Sequence, residues 1–223
     1  MRKKLIIVGN SSFADIAFEY FQEGTEYEVI AFSVEEKFLK CDKHLGRPNI
    51  PFERIESYYK PCDHSIFVAT VYTELNRLRT RLAYESKLKG YSLASYISPH
   101  AFVWKNVTIG EHCFIFEDNT IQPYVKICDN VVLWSGNHIG HHSIVEQNCF
   151  ISSHVVISGH CVIGQNSFLG VNSTVSNNVI IGTDNWIAPS NTITKNTEDG
   201  LLFKADSSIP SKVSSLRFFK IKQ

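Results

Sequence analysis

The sequence has no surplus of charge: 22 basic side chains stand against 22 acidic ones, and its one consecutive basic run is Arg2 to Lys4. A chain so balanced generates no field that gathers nucleic acid or an anionic lipid surface, so neither is expected as a partner. Long apolar runs are lacking too. The opening stretch Leu5 to Val8 is too short for a signal peptide, and nothing later reaches the length that crosses a bilayer, so no membrane insertion is expected. The six cysteines form no CxxC pair and no metal-finger spacing, which fits reduced thiols in a cytoplasmic protein rather than a disulfide framework. A complete GxGxxG is missing as well, which argues against a dinucleotide cofactor.

What is present divides the chain near residue 95. LIIV (5–8) reads as a buried strand, and GNSS opens a segment, ADIAFEYFQE, with apolar residues at helical spacing. Further strands are expected at YEVIAF (27–32) and SIFVAT (65–70), then a charged helix from about Glu74 to Lys89, ended by Gly90. This alternation predicts a Rossmann-like α/β domain over residues 1–95, with a small parallel sheet. From Ile97 to Ile193 the grammar changes: an aliphatic residue recurs at every sixth position with no insertion. Neither helix nor simple strand sustains that period, whereas a hexapeptide repeat winding a parallel β-helix does. The prism is expected over residues 96–195, three hexapeptides to a triangular coil, with a C-terminal tail over 196–223. Residues two before each repeat position point inward with it, which makes Cys113, Cys149 and Cys161 core rather than nucleophiles.

The register places the histidines of GNHIGHHSI (136–144). His138, just before Ile139, stands on one outer face, His142 on the next, and His141 at the corner between them. His160 stacks one coil above His142, while Gly159, one coil above His141, has no side chain and leaves room for a ligand. Three readings are open. A metal needs converging imidazoles, and the ligand spacing of zinc enzymes of the gamma carbonic anhydrase type is absent, so no metal is expected. The others are a solvated surface cluster and general-base chemistry. Phe114, Phe150 and Phe168, with Val132, make an apolar stripe along one face; left exposed, it predicts closure by neighbouring prisms into a homotrimer with sites at subunit boundaries. Trp104, Trp134 and Trp186 sit beside repeat positions, suited to corner packing or to contact with a cofactor or a neighbouring subunit.

An α/β unit followed by this prism, with IGHHS (139–143) inside it and GNSSF (9–13) at the first turn, resembles bacterial sugar acetyltransferases that act on UDP-4-amino sugars in bacillosamine synthesis. The wider group includes sialic acid O-acetyltransferases. The resemblance covers nearly the whole chain and implies a left-handed β-helix, acetyl-CoA as co-substrate, and direct N-acetylation of a nucleotide-linked amino deoxy sugar in glycan biosynthesis. It implies His141 as the base, with His142 where the family has an acidic residue; Glu117, Asp118 and Glu146 are candidates to replace that acid. It also implies the Gly159 amide against the thioester carbonyl, with His160, Asn177 and Phe150 on the cofactor side, Phe150 standing where the family has a histidine. Gly9, Asn10, Ser11 and Ser12 match the loop for the nucleotide-linked sugar, with Phe13 replacing a histidine. Tyr72, Asn76 and His138 are further substrate-side candidates. Alternatives are O-acetylation of a sugar hydroxyl, as on sialic acid, and a β-helix serving as a non-catalytic scaffold.

Overall fold

The computed structural model describes residues 2–23 and 25–221. The LIIV run forms the centre of strand β1 (Lys3–Val8). Helix α1 (Ser12–Gln22) buries Phe13, Ala14, Ala17 and Phe21, the face its apolar spacing dictates. The domain continues with β2 (Tyr27–Val34), β3 (Lys43–His44), β4 (Arg47–Pro51), the short helix α2 (Ile55–Tyr58), β5 (His64–Val68), α3 (Arg77–Leu88) and β6 (Ser92–Leu93). Strand order is β3-β4-β2-β1-β5-β6, parallel throughout except for the β3–β4 hairpin. That hairpin is absent from the sequence reading. Its two-residue turn, Leu45 and Gly46, has φ of 44° and 74°, the left-handed pair such turns require, but it lacks the Asn-Gly signature that reveals them. Helix α3 starts at Arg77 rather than near Glu74, because Glu74, Leu75 and Asn76 are themselves left-handed, with φ of 53°, 52° and 67°.

From Tyr96 onward each hexapeptide supplies a two-residue strand, and strands 18 residues apart pair in parallel, building the three sheets of a left-handed β-helix. The first face carries Phe114, Val132, Phe150 and Phe168, the second Thr120, His138 and Val156, and the third Lys126, Ile144 and Val162. The repeat aliphatics fill the interior together with Cys113, Cys149 and Cys161. Within the 196–223 segment, Leu202–Phe203 adds one more strand to the first face, pairing with Trp186–Ile187. Beyond it the described residues are exposed and include the helical turn Ser215–Phe218.

At every sixth residue from His112 to Ser190 the backbone has positive φ, which turns the chain at each corner. Asn, Asp, Gly and His tolerate that conformation best. The rule accounts for Asn130, Asn148, Asn166, Asn172 and Asn178, and equally for His142, His154 and His160. His142 is therefore not an outer-face residue but the left-handed corner residue itself, with φ 60°.

The apolar stripe of the first face is covered by this chain's own N-terminal domain, not left for a neighbouring prism. Phe114 is 0% exposed, Val132 1%, Phe150 3% and Phe168 5%. Phe13 meets Phe114 edge-on at 5.6 Å, and Tyr72 covers Phe150 at 5.2 Å and Phe168 at 4.7 Å. Beside this face, at the corner leading into it, α3 inserts Arg79 into a fully buried position. Its guanidinium donates to the carbonyls of Val68 at 3.1 Å, Asn130 at 3.0 Å and His112 at 3.0 Å, and to Asn130 Oδ1. From Asn130 a ladder of side-chain amides climbs the corner through Asn148 at 2.8 Å, Asn166 at 3.0 Å and Asp184 at 2.9 Å, where Arg77 closes it at 2.8 Å. Burial pushes the Arg79 pKa down to about 9, so it stays charged at neutral pH and is held by hydrogen bonds rather than by a carboxylate.

Candidate active site

The corner that carries His141 and His142 lies between the second and third faces, opposite the face that the N-terminal domain covers. It is pinned from inside by Ser143, whose Oγ donates to the Ser158 carbonyl at 2.9 Å and accepts from the Cys161 N–H at 3.0 Å. From outside, Gln122 Oε1 accepts from the His141 N–H at 2.9 Å. The His142 and His160 rings stack 4.8 Å apart at 15°, with Tyr124 stacked beneath His142 at 4.6 Å. His141 stands perpendicular to that column, its Nδ1 3.1 Å from Nδ1 of His142 and its ring centroid 5.0 Å from that of His160. The three rings are exposed, and one nitrogen from each lies within 4.8 Å of the others. The ligand spacing of the zinc enzymes is absent, yet three imidazoles come together at this corner. Two members of one column and the flanking corner residue meet without matching any linear metal motif.

Gly159 has a different role from the one its missing side chain implies. A Cβ there would lie 2.8 Å from His141 Cε1, so the space is filled by the imidazole itself and not left for a ligand. The Gly159 N–H donates to Asn177 Oδ1 at 2.9 Å. Another carbonyl reaches that amide only by displacing the Asn177 side chain.

Of the acids considered for orienting His141, Glu117 lies under α1, accepting from Ser135 at 2.6 Å and from Tyr20 at 2.8 Å. Burial raises its pKa, but these two hydrogen bonds, one from its own backbone and the His100 charge together outweigh that and leave the carboxyl below its usual range. Glu146 accepts from the Gln165 N–H at 3.1 Å, and Asp118 is the left-handed residue of a different corner. The partner of His141 Nδ1 is His142.

The remaining sequence candidates separate. His138 is half-buried on the second face between Thr120 and Val156. Phe150 belongs to the interdomain core, where Tyr72 and Trp134 cover it, so it cannot touch a cofactor's pantetheine arm. Asn76 is also structural: it is 3% exposed and donates to the Asn166 carbonyl at 3.1 Å, tying the turn before α3 to the prism. Tyr72 faces the aromatic stripe. Burial raises the thiols of Cys113, to about 11, and of Cys149 and Cys161, which leaves them protonated and unsuited to nucleophilic attack.

A second candidate site, a cleft of about 220 Å³, lies beyond the carboxyl ends of β1, β2 and β5. Strand order reverses across β1, the place where open α/β sheets bind ligands. Gly9, Asn10 and Ser11 line it with Val34, Glu35 and Thr70, while Ser12 is the first residue of α1. Gly9 has φ 129°, and a Cβ there would sit 2.6 Å from the Ala69 carbonyl oxygen, so only glycine fits. Glu35 and Thr70 escaped the sequence reading because only the sheet topology brings their strand ends beside Gly9.

Residues 92–201 match the family described as GMPPB C-terminal domain. A comparison with curated proteins finds no match. Among solved structures, the acetyltransferase domain of PglB from Neisseria gonorrhoeae FA1090 superposes with a TM-score of 0.80 at 19% identity, over 90% of this chain and 96% of that one. It has also been solved with acetyl coenzyme A. PerB from Caulobacter crescentus, in complex with CoA and GDP-perosamine, gives a TM-score of 0.80 at 23% identity, over 89% of this chain and 92% of that one. WeeI from Acinetobacter baumannii AYE gives 0.56 at 14% identity, over 89% and 94%. At these identities the likeness is one of fold: a Rossmann-like domain followed by a left-handed β-helix, shared with the PglB acetyltransferase domain and with PerB.

Proposed function

We propose that the protein is an acetyl-CoA-dependent N-acetyltransferase that acts on an amino group of a nucleotide-linked deoxy sugar, with His141 as the general base. The observation that carries this reading is the His141 imidazole held against the Gly159 backbone at an exposed corner of a fold whose solved examples bind acetyl-CoA, or CoA with GDP-perosamine. Transfer is direct. The amine nitrogen attacks the thioester carbonyl, the C–N bond forms as the C–S bond breaks, and the CoA thiolate leaves while His141 takes the proton from the amine. The Nδ1–Nδ1 contact sets the tautomer this requires: with the hydrogen on His141 Nδ1 donated to His142 Nδ1, Nε2 is free to accept. His142 thus orients the base in place of a carboxylate. The developing oxyanion takes the Gly159 N–H from Asn177.

The cleft at Gly9 to Ser11 holds the nucleotide, its phosphates near the start of α1. Because the N-terminal domain covers the face opposite the His141 corner, that cleft and the base of one chain point away from each other. A homotrimer brings the cleft of one protomer to the corner of the next. Apolar residues on the two uncovered faces, among them Val156 and Ile180, supply the contact.

A thiol-release assay with acetyl-CoA tests the reading against a panel of nucleotide-linked amino sugars, free sialic acid and water. Release that depends on an amino sugar is expected; release with sialic acid alone would assign the chain to hydroxyl acylation. Sedimentation equilibrium is expected to give a trimer, and a fully active monomer would remove the shared site.

A further inference from the structure

We infer that the His141, His142 and His160 corner is a binding site for a divalent transition ion of the zinc class, and that the ion, once bound, blocks the base. The second half rests on the reading of His141 as the base; the first does not.

The site follows from the backbone. His142 and His160 are equivalent residues of successive coils, with φ of 60° and 58°, so their side chains leave the corner in the same direction and their rings stack. His141, the residue before, is turned across the column because Gly159 leaves the space for it. The result is three exposed imidazoles, one nitrogen from each within 4.8 Å of the others. Zinc takes imidazole nitrogens at about 2.0–2.1 Å in tetrahedral geometry, which sets adjacent ligand nitrogens roughly 3.3 Å apart. His141 and His142 already hold their Nδ1 atoms 3.1 Å apart, close to that separation. His160 completes the set by a ring rotation within its stack. Three neutral nitrogens and no carboxylate favour zinc, cobalt, nickel or copper over magnesium or calcium. With three protein ligands, a fourth position faces solvent.

Metal bound at His141 Nδ1 breaks the Nδ1–Nδ1 contact and leaves the ring hydrogen on Nε2, the nitrogen that has to accept the proton of the amine. The ion is therefore an inhibitor rather than a cofactor.

The test is isothermal titration calorimetry of the full chain, free of any histidine tag, with zinc chloride and no acetyl donor or acceptor. One saturable ion per chain is expected, with affinity falling by about tenfold or more in His142→Ala and in His160→Ala. His154→Ala, at a different corner, serves as the control and is expected to bind as the parent does. Cobalt bound to the parent is expected to show the visible absorption of a tetrahedral nitrogen site and to lose it in the same two variants. Absence of saturable heat, affinity unchanged in both variants, or an equal loss in the control would overturn the site. The exposed thiols of Cys41 and Cys62 would produce the second of these results. Initial rates of acetyl-sugar formation then test the blockade: inhibition over the zinc range that fills the site supports it, and full activity at saturating zinc overturns it. Calorimetry decides the site even in a chain that transfers no acetyl group, so the two readings fail separately.

Discussion

Two corners of one prism use the same backbone for opposite ends. At the corner entering the first face, the left-handed residues are His112, Asn130, Asn148, Asn166 and Asp184; at the corner entering the third, they are Tyr124, His142, His160 and Asn178. In the first, α3 closes over the column and every polar group is matched. His112 accepts the Val68 N–H at Nε2, at 2.9 Å, and donates from Nδ1 to Asn130 Oδ1 at 2.7 Å. In the second, nothing among the described residues covers the column; the His141 and His142 rings share one contact, and the His141 ring lies against Gly159. The conformation selects histidine at both corners. What leaves it enclosed at one and open at the other is whether its second nitrogen has a partner.

The largest expected effect lies at the open corner: His141→Ala is expected to lower turnover by about a hundredfold or more, with the thermal unfolding midpoint unchanged. Full activity would break the comparison at once. His142→Ala is expected to lose less, and equal losses at the two positions would show a shared proton relay. At the closed corner the effect moves from activity to stability. Arg79→Met leaves the carbonyls of Val68, His112 and Asn130 without their donor in a buried site, at a cost of about 3 kcal/mol or more read from urea unfolding.

Gly159→Ala sharpens the contrast, because its added Cβ meets a movable ring rather than backbone. Turnover is expected to fall by about tenfold as His141 is displaced, while stability changes by less than about 1 kcal/mol. The smallest effect is in the acid limb. Burial, and then the Arg79 charge, hold the His112 pKa well below its ordinary 6.5, so the unfolded chain binds a proton that the folded chain refuses. Its contribution is present above pH 6.5 and is lost as the pH falls below that value, with a slope of about 1.4 kcal/mol per pH unit. Urea midpoints across pH 5 to 7 are expected to show this slope, flattened in His112→Gln.

The repeat was legible because the inward aliphatics have no alternative: one residue out of step would move a whole coil's core to the surface. The corner conformation was legible in principle from the asparagines three before those aliphatics, yet one side chain of that set, His142, reads equally well as a surface residue. The aromatic stripe signalled that something covers it but not what, since a neighbouring prism and Tyr72 with Phe13 present the same apolar chemistry. At the candidate site, the register places Gly159 one coil above His141, but the direction of the His141 ring and the Asn177 side chain on the amide depend on rotamers that a register does not encode. Phe150 misled for the same reason, matching a family position while its ring lies under Tyr72.

The uninterrupted hexapeptide register gives the prism a reading frame. Removing 18 residues takes out one coil and returns every later side chain to its own face, because strands 18 apart pair directly, as Val132 with Phe150 and Phe150 with Phe168. Removing six is a frameshift of a third of a turn. A six-residue deletion after Phe150 would carry the Phe168 and Trp186 positions out from under Tyr72 and bring others in their place, with no single coil damaged. Length changes in this chain are therefore expected to be tolerated in whole coils, and the N-terminal domain, by gripping one face, is what enforces the frame.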